Sequence, residues 1–401
     1  MTLEEKVAQL RSAREPTSAN DALNHPAQMA TLLQHGLGML NPAFDTPQDE
    51  TIAFRNRVQR YLATETRLGI PAIILDEAHH GVLAPGVDVF PHGLAIASSW
   101  NPDLIERVYS LIATQARSRG THMVLAPVVD VARDPRWGRT GETLGEDPYL
   151  TGTLGSAMVR GFQGSCNGTI APGHVAATLK HFTGHGESEG GLNQGPANHS
   201  VRVLREIHME PFRLCIERAR PAAVMAAYCD IDGVPCHANP WLLRDVLRGE
   251  WRFTGLIVSD WFGIDQLWTK HRVAPTEEAA ALRAFQAGVT VDLPYGVNYA
   301  HLVALVRKHQ ISDTALDAAV ASVLSLKFDL GLFEEAAIDV HNARRAFGGP
   351  EARALALEAA SASMVLLKNE GNLLPIDKAR YKTIAVIGPM AAVNYLGDYS
   401  G

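Results

Sequence analysis

Residues 222–261 read AAVMAAYCDIDGVPCHANPWLLRDVLRGEWRFTGLIVSDW and contain one complete strand–helix–strand unit. The apolar runs Ala222–Tyr228 and Leu256–Asp260 are continuous rather than alternating. This pattern is typical of parallel strands that are buried on both faces. Between them, Pro240–Glu250 predicts a helix. A helix that joins two such strands predicts an α/β fold with a parallel sheet.

The same alternation of strand and helix repeats along most of the chain. Further strands are predicted at Gly36–Leu40, Pro71–Glu77, Met123–Val131, Ala176–His181 and Val289–Leu293. Further helices are predicted at Asn101–Arg119, Val203–Arg220, Glu277–Ala287 and Ser312–Leu330, and residues 1–15 predict an acidic amphipathic helix. The repetition predicts a (β/α)8 TIM-type barrel, and a doubly wound sheet is the alternative.

The alternation of predicted strands and helices ends after residue 335, so we expect the barrel to occupy residues 1–335. Residues 336–375 predict a linker and a helix, and residues 376–401 predict the incomplete start of a second α/β sandwich domain. Thr383–Ile387 is its expected first strand. Because one strand cannot form a sheet, we expect the chain to stop inside this domain.

Composition excludes several classes of protein. The 401 residues carry 36 Lys and Arg against 43 Asp and Glu, without the basic footprint of a nucleic-acid binder. No apolar run is long enough for a membrane span, and the start is not a signal peptide, which leaves the compartment open. The four cysteines form no CxxC pair, so we expect buried free thiols.

Several predicted strands end on polar residues, which in a barrel meet at the face where active sites lie. Asp260 ends one strand and Trp261 follows it, which places a carboxylate beside an aromatic wall suited to the apolar face of a sugar ring. The alternative is that Asp260 caps the next helix. Other strand-end residues are Asp76, Asp130, His181 and Asp292.

A second set of candidates lies in TLKHFTGHGESEGG, residues 178–191. Lys180 and His181 at a strand end suit hydroxyl recognition, although Lys180 could instead pair with a neighbouring carboxylate. His181 and His185 have the spacing of a zinc-binding HExxH helix. Glycines at 184 and 186 predict a loop, however, so the helical argument for zinc fails.

The remaining candidates come from three other segments. Residues 130–150 form a long polar connection. Arg139 of this segment could reach a ligand, and Arg136 is expected only to brace the loop.

Asp76 in LDEAHHG could accept two hydroxyl hydrogen bonds. His79 and His80 of the same segment are expected to be loop or supporting residues rather than metal ligands. Met225 and Tyr228 could line a sugar-sized pocket, with core packing as the alternative for Met225.

Taken together, these segments resemble glycoside hydrolase family 3 of the β-glucosidase and β-xylosidase type. The motifs occur in the order LDEAHHG, FPHGLAIASSWN, APVVDVARDPRWGR with GEDPYL, KHFTGHG with EGG, MAAYCDIDGVP, GLIVSDW, AGVTVDLP, VLLKNEGNLLPI and AVIGP with GDYSG. The resemblance extends from residue 2 to Gly401.

This resemblance implies a role for each matching residue. Asp260 matches the catalytic nucleophile. Asp76, Arg139, Lys180 and His181 match residues that hydrogen-bond the sugar in the −1 subsite, and Met225, Tyr228 and Trp261 match the walls of that pocket. The general acid/base is a glutamate of the second domain and is assigned to no residue here. No cofactor or metal is required, the partner is an oligosaccharide or glycoside substrate, and neither nucleic acid nor membrane is expected.

The implied function is that of an exo-acting retaining β-glycosidase that releases a terminal glucosyl or xylosyl unit. Asp260 is expected to stay ionised beside Lys180 and Arg139, as a nucleophile must. The alternative within the family is a β-N-acetylhexosaminidase, whose Asp-Ser-His acid/base does not follow KHFTGHG here. The alternatives from other classes are a non-catalytic sugar-binding fragment and a metal-dependent barrel hydrolase.

Overall fold

The structure is a computed structural model that describes residues 1–18, 21–165, 167–334 and 337–400. Within these described residues, seven strands form one parallel sheet in the order of the chain, and a small antiparallel hairpin, β7 (Asp230–Ile231) and β8 (Val234–Pro235), lies between the last two of them in sequence. The sheet strands are β1 (Ser12–Arg14), β2 (Met39–Asn41), β3 (Ile73–Asp76), β4 (Met123–Val124), β5 (Ala176–Phe182), β6 (Ala223–Ala226) and β9 (Leu256–Val258).

The two edges of this sheet meet through residues 291–292. Val258 of β9 forms a parallel bridge with Val291, and Asp292 forms another with Arg11, next to β1. The sheet therefore curls round on itself, as predicted for a barrel, whereas a doubly wound sheet would leave its edges apart. The predicted strand at 289–293 is confirmed only as these two bridges.

Helices surround the sheet and cover its outer face. They are α1 (Leu3–Ala8), α2 (Pro26–Leu33), α3 (Gln48–Glu65), α4 (Gly93–Ala97), α5 (Pro102–Ser118), α6 (Pro148–Gln163), α7 (Val201–Val203), α8 (Glu210–Ala219), α9 (Gln266–Thr269), α10 (Glu277–Ala287), α11 (Leu302–Arg307), α12 (Asp313–Asp329), α13 (Val340–Arg345) and α14 (Pro350–Ala362). Leu204–His208 and Trp241–Glu250 are helical with π-type turns. None of the helices that the structure describes is both long and apolar enough to cross a bilayer.

Two predicted helices were wrong in their extent. The first helix ends at Ala8, and the chain then enters β1, because Leu10 and Ala13 are buried in the core and Ser12 pairs with Met39 of β2. The helix predicted at 203–220 is divided by the π-type turn, and Pro211 lies in the first turn of α8, where its missing N–H is tolerated.

The strand predicted at 383–387 is also absent from the structure. Ile384, Val386 and Ile387 are exposed, and the segment pairs with no strand among the residues described. A strand needs neighbours to satisfy its N–H and C=O groups, and the sheet of the barrel is already closed. The chain then returns to the barrel, where the His80 Nε2 atom lies 2.7 Å from the Asp398 carbonyl oxygen.

The cysteines agree with the prediction as far as the structure describes them. Cys215, Cys229 and Cys236 are free and buried. Cys166 lies outside the described residues.

Candidate active site

Asp260 lies just beyond the end of β9, buried, with two differently placed carboxylate oxygens. Its Oδ1 atom accepts a hydrogen bond of 2.7 Å from the Trp261 N–H. Its Oδ2 atom is buried and has no hydrogen bond of good geometry among the described residues, and the His181 Nε2 atom lies 3.7 Å from it. The Tyr228 hydroxyl also acts on this carboxylate and lowers its pKa. One oxygen is therefore held by the backbone of Trp261, and the other is not.

A hydrogen bond to His237 holds the backbone of Asp260 in place. The Asp260 N–H donates to the His237 Nε2 atom over 2.9 Å, and burial lowers the pKa of this histidine to about 3, so the ring is neutral and can accept. Gly263 packs against the same ring. A Cβ atom at this position would lie 2.2 Å from the His237 Nε2 atom, so only glycine fits.

Burial and charge act in opposite directions on Asp260. Burial raises the pKa of Asp260 to about 6, although Arg139 and Lys180 lower it. The two cations therefore offset only part of the effect of burial on the pKa of Asp260. The carboxylate is nevertheless mostly ionised at neutral pH, because the pKa still lies about one unit below 7.

His181 connects the nucleophile candidate to two other buried groups. Its Nδ1 atom lies 2.7 Å from the Asp130 Oδ2 atom, and its Nε2 atom lies 3.0 Å from Arg139 Nη2. Because a guanidinium can only donate, Nε2 accepts and Nδ1 carries the hydrogen. Burial and Arg139 lower the pKa of His181 well below its usual value, so the imidazole is neutral.

Arg139 lies at the centre of the polar groups. It donates two hydrogen bonds to Glu142, of 2.7 and 2.9 Å, and its Nη1 atom lies 3.2 Å from the His185 Nε2 atom. His181 and His185 thus both face one guanidinium, which disfavours a metal cation between them. Arg136 lies apart, exposed and paired with Asp134 at 2.7 Å, as predicted.

Lys180 and Glu77 form the opposite side of this cluster. The Lys180 Nζ atom donates to the Glu77 Oε2 atom over 2.8 Å, and both residues are buried. Burial raises the pKa of Glu77, and Lys180 lowers it. The His79 ring lies between two carboxylates, with Nε2 at 3.2 Å from Glu77 and Nδ1 at 3.5 Å from Glu142. The alternative of a lysine paired with a neighbouring carboxylate is therefore observed.

The structure does not bring Asp76 into this cluster. Arg55 of α3 binds both of its oxygens, at 2.9 and 3.1 Å, and the Thr121 hydroxyl donates to Oδ2 over 2.5 Å. These buried partners leave Asp76 no surface for a sugar. Asp292, another strand-end residue, accepts from the N–H groups of Asn298 and Tyr299 instead.

Aromatic residues lie next to Asp260. The Tyr228 hydroxyl donates to the Trp261 carbonyl over 2.8 Å, and burial and Asp260 raise the pKa of this phenol. The Trp261 ring stacks on Phe44 with centroids 5.5 Å apart, and Arg14 lies 4.8 Å from its ring. Met225 is buried in β6 opposite Val258 and packs in the main hydrophobic core.

The C-terminal segment adds a residue that the sequence analysis did not single out. The Tyr399 ring stacks on His79, with centroids 3.9 Å apart and an interplanar angle of 15°. Lys180 lies 5.5 Å from the centroid of the same ring. Tyr399 therefore packs against the His79 and Lys180 side of the charged cluster.

Three polar residues of the cluster were missed by the sequence analysis, namely Glu77, Glu142 and His237. His79 was expected to be a loop or supporting residue, and His185 was considered only as a possible zinc ligand. Glu77 alone had a usable signal, since neighbouring residues of a strand point to opposite faces and only one of Asp76 and Glu77 could face the pocket.

Comparison with known proteins identifies two family models in the chain. The model of the glycosyl hydrolase family 3 N-terminal domain matches residues 2–326, and the model of the C-terminal domain of the same family matches residues 364–401.

Curated relatives and solved structures agree with these models. A β-xylosidase of Formosa agariphila is 38% identical over 84% of this chain and 49% of its own length. A periplasmic β-glucosidase of Salmonella typhimurium is 35% identical over 98% of this chain and 49% of its own length. The chain thus spans about half the length of the curated relatives it matches.

Two solved structures show the same likeness in three dimensions. A β-glucosidase from Erythrobacter marinus superimposes with a TM-score of 0.94 at 36% identity, covering 100% of this chain and 53% of the other. A variant β-glucosidase from Listeria innocua, in complex with laminaribiose, has a TM-score of 0.84 at 34% identity and covers 94% of this chain and 52% of its own. The chain therefore belongs to glycosyl hydrolase family 3.

Proposed function

We propose that this chain binds the sugar and supplies the nucleophile of an exo-acting retaining β-glycosidase. The substrate is a glycoside or oligosaccharide with a terminal β-D-glucosyl or β-xylosyl unit. The observation that carries the proposal is the Oδ2 atom of Asp260, which is buried and has no hydrogen bond of good geometry among the described residues. A buried carboxylate oxygen without such a bond is costly unless a ligand uses it.

In the proposed reaction, Asp260 Oδ2 attacks the anomeric carbon while the bond to the leaving-group oxygen breaks. The product is a covalent glycosyl-Asp260 ester, which water then hydrolyses with retention of configuration. The hydrogen bond from Trp261 to Oδ1 holds the carboxylate so that Oδ2 faces the sugar. An ionised carboxylate is required, and the pKa of about 6 meets this requirement at neutral pH.

The hydroxyl groups of the sugar are assigned to the charged cluster. Lys180 and Arg139 supply donors, and Glu77 supplies acceptors where the sequence analysis expected Asp76. His181 accepts from Arg139 through Nε2 and donates to Asp130 through Nδ1, so it positions Arg139 beside the sugar. Two cations next to two carboxylates suit a neutral ligand with many hydroxyls, because each hydroxyl both donates and accepts. Such contacts lower the barrier where they strengthen in the transition state.

The second carboxyl group of the mechanism is assigned to no residue of this chain. A retaining enzyme needs an acid about 5–5.5 Å from its nucleophile. Glu142 is bound to Arg139, which lowers its pKa against the effect of burial, so it is unsuited to donate a proton. Glu77 is bound to Lys180. The family resemblance implies a glutamate of the second domain.

Trapping of the glycosyl-enzyme tests the proposal directly. The protein is incubated with a 2,4-dinitrophenyl 2-deoxy-2-fluoro-β-glucoside or the matching xyloside, and its intact mass and peptides are measured. The good leaving group needs little acid assistance, and the fluorine slows hydrolysis of the ester. We expect one adduct on Asp260 and none in Asp260→Asn.

Two outcomes would contradict the proposal. An adduct on another residue would refute the assignment of the nucleophile. Folded protein that binds glucose or xylose in calorimetry and forms no adduct would favour the non-catalytic sugar-binding alternative.

A further inference from the structure

A second cluster of ionisable side chains lies beside the loop that follows β5. Glu187, His199 and His208 place one carboxylate oxygen and two imidazole nitrogens within 4.8 Å of one another. The His208 Nε2 atom lies 3.1 Å from Glu187 Oε2, and the two imidazole rings stack with centroids 4.8 Å apart. None of these residues belongs to the cluster around Asp260.

Three separate elements bring these side chains together. Glu187 ends the short helical turn His185–Glu187, and His199 precedes Ser200, the N-cap of α7. His208 ends the π-type turn Leu204–His208, just before α8. Turns of this type occur often at functional sites.

The ring nitrogens of the two histidines approach Glu187 from different elements. The His208 Nε2 atom lies 3.1 Å from Glu187 Oε2, and the His199 Nε2 atom lies 3.0 Å from the Glu187 carbonyl oxygen. Because a carbonyl only accepts, the His199 Nε2–H donates to it, which leaves Nδ1 as the ligand atom of this ring. On the His208 ring, an ion would take the place of the hydrogen between Nε2 and the carboxylate. One carboxylate oxygen and two imidazole nitrogens thus form a donor set.

We propose that Glu187, His199 and His208 bind a divalent transition-metal ion of the zinc type, with water completing the coordination. Two imidazoles and one carboxylate favour zinc, cobalt or nickel over magnesium and calcium, which prefer oxygen ligands. Zinc lies about 2.0–2.2 Å from such ligands, which in tetrahedral geometry are roughly 3.3–3.6 Å apart. Ligand atoms near the 4.8 Å limit observed here must therefore approach by about 1 Å, and the Glu187 side chain is 32% exposed and able to move.

One nearby charge competes with the ion. The Arg133 Nε atom lies 3.7 Å from Glu187 Oε2, and the Arg133 side chain is 43% exposed. Binding of the ion to Glu187 would break this weak, exposed ion pair and release the Arg133 side chain into solvent. The competition predicts that replacing Arg133 with glutamine strengthens metal binding.

The position of the site indicates a role in fixing the loop rather than in chemistry. Glu187 is two residues from His185, which contacts Arg139 at 3.2 Å. An ion that ties Glu187 to His199 and His208 would fix the loop 185–199 against α8. We therefore expect it to stabilise the folded protein, as any ligand of the native state does.

Cobalt and zinc titrations of the full 401-residue chain test the proposal. After treatment with a chelator, the protein is titrated with Co²⁺ while visible d–d absorption is recorded, and with Zn²⁺ by calorimetry. We expect one site per chain. The partly exposed His199 and Glu187 are replaced in His199→Ala and Glu187→Gln, and each variant should bind about tenfold or more weakly. His35→Ala, an exposed histidine elsewhere, should bind as the wild type does.

A thermal measurement completes the test. Zinc should raise the Tm of the wild type and of His35→Ala, but not that of His199→Ala. The proposal is overturned if the wild type binds no cobalt or zinc at submillimolar concentration. It is equally overturned if both variants of the cluster bind with the affinity of the wild type.

Discussion

The carboxylates of Asp76 and Glu77 are adjacent in the chain and bind cations on opposite sides of β3. Asp76 binds Arg55 of α3 through both of its oxygens, whereas Glu77 accepts from Lys180 in the cluster around Asp260. Asp76 therefore holds a helix against the barrel, and Glu77 faces the candidate sugar site. The sequence analysis expected Asp76 to bind the sugar and gave Glu77 no role, whereas Glu77 is the residue that contacts Lys180.

Substitution of these two neighbours should separate stability from function. Asp76→Asn leaves the buried Arg55 guanidinium without full compensation and should lower the free energy of unfolding by about 3–5 kcal/mol. The rate at which the fluoroglycoside labels the folded fraction of this variant should stay within about threefold of the wild-type rate.

Glu77→Gln should reduce the labelling rate about 100-fold, because a hydroxyl acceptor is lost. Denaturant unfolding and labelling rates distinguish the two. Equal loss of labelling in folded Asp76→Asn would restore Asp76 to the sugar site.

Asp260 should reduce stability as well as supply the nucleophile. Burial raises its pKa from 3.8 to about 6, so the folded state binds a proton between these values that the unfolded state does not. Stability therefore falls as pH rises through this range, by about 3 kcal/mol in total. We expect Asp260→Asn to be more stable than the wild type at pH values above 6 and to lose this advantage below the ordinary pKa of Asp. Unfolding curves at one pH on each side of the range provide the measurement. If Asp260→Asn is less stable than the wild type at high pH, ionisation of the buried Asp260 carboxylate does not lower the free energy of unfolding.

The rate of covalent labelling should depend on pH through the same group. Only the ionised carboxylate attacks, and so the labelling rate should rise with pH and reach half of its maximum near pH 6. The leaving group needs no acid, so no second, alkaline decline is expected from an acid catalyst. A profile that is flat between pH 5 and 8 would mean that the nucleophile has an ordinary pKa, about 4.

Arg139 should not tolerate replacement by lysine. Its guanidinium binds Glu142 with two hydrogen bonds and also faces His181 and His185, a geometry that a single ammonium cannot reproduce. We expect Arg139→Lys to lower the labelling rate by about 100-fold. Arg136→Lys serves as the matched control, because Arg136 is exposed and pairs with Asp134 in the same loop. Equal labelling by the two variants would place Arg139 outside the functional cluster.

The pattern of buried strands could be predicted from local sequence, but the partners of individual side chains could not. The continuous apolar runs that end at Asp260 and His181 predicted strand ends at one face of a barrel, and both residues lie there, with His181 Nε2 3.7 Å from Asp260. The short strand Ser12–Arg14 was missed, because three residues carry too little periodicity to be told from a helix end. Its identity depends on pairing with Met39, a residue distant in the chain.

The sequence by itself determined the parallel barrel, the family resemblance and most of the residues near Asp260, since apolar periodicity and motif order are properties of the chain. Only the tertiary structure decided that Asp76 binds Arg55, that Glu77 faces Lys180, and that Glu187, His199 and His208 converge. It also decided the protonation of Asp260, because burial and two cations act on its pKa in opposite directions. Residues that are distant in the chain come into contact only once the barrel has closed. The exclusion of water that shifts their pKa values also depends on that closure.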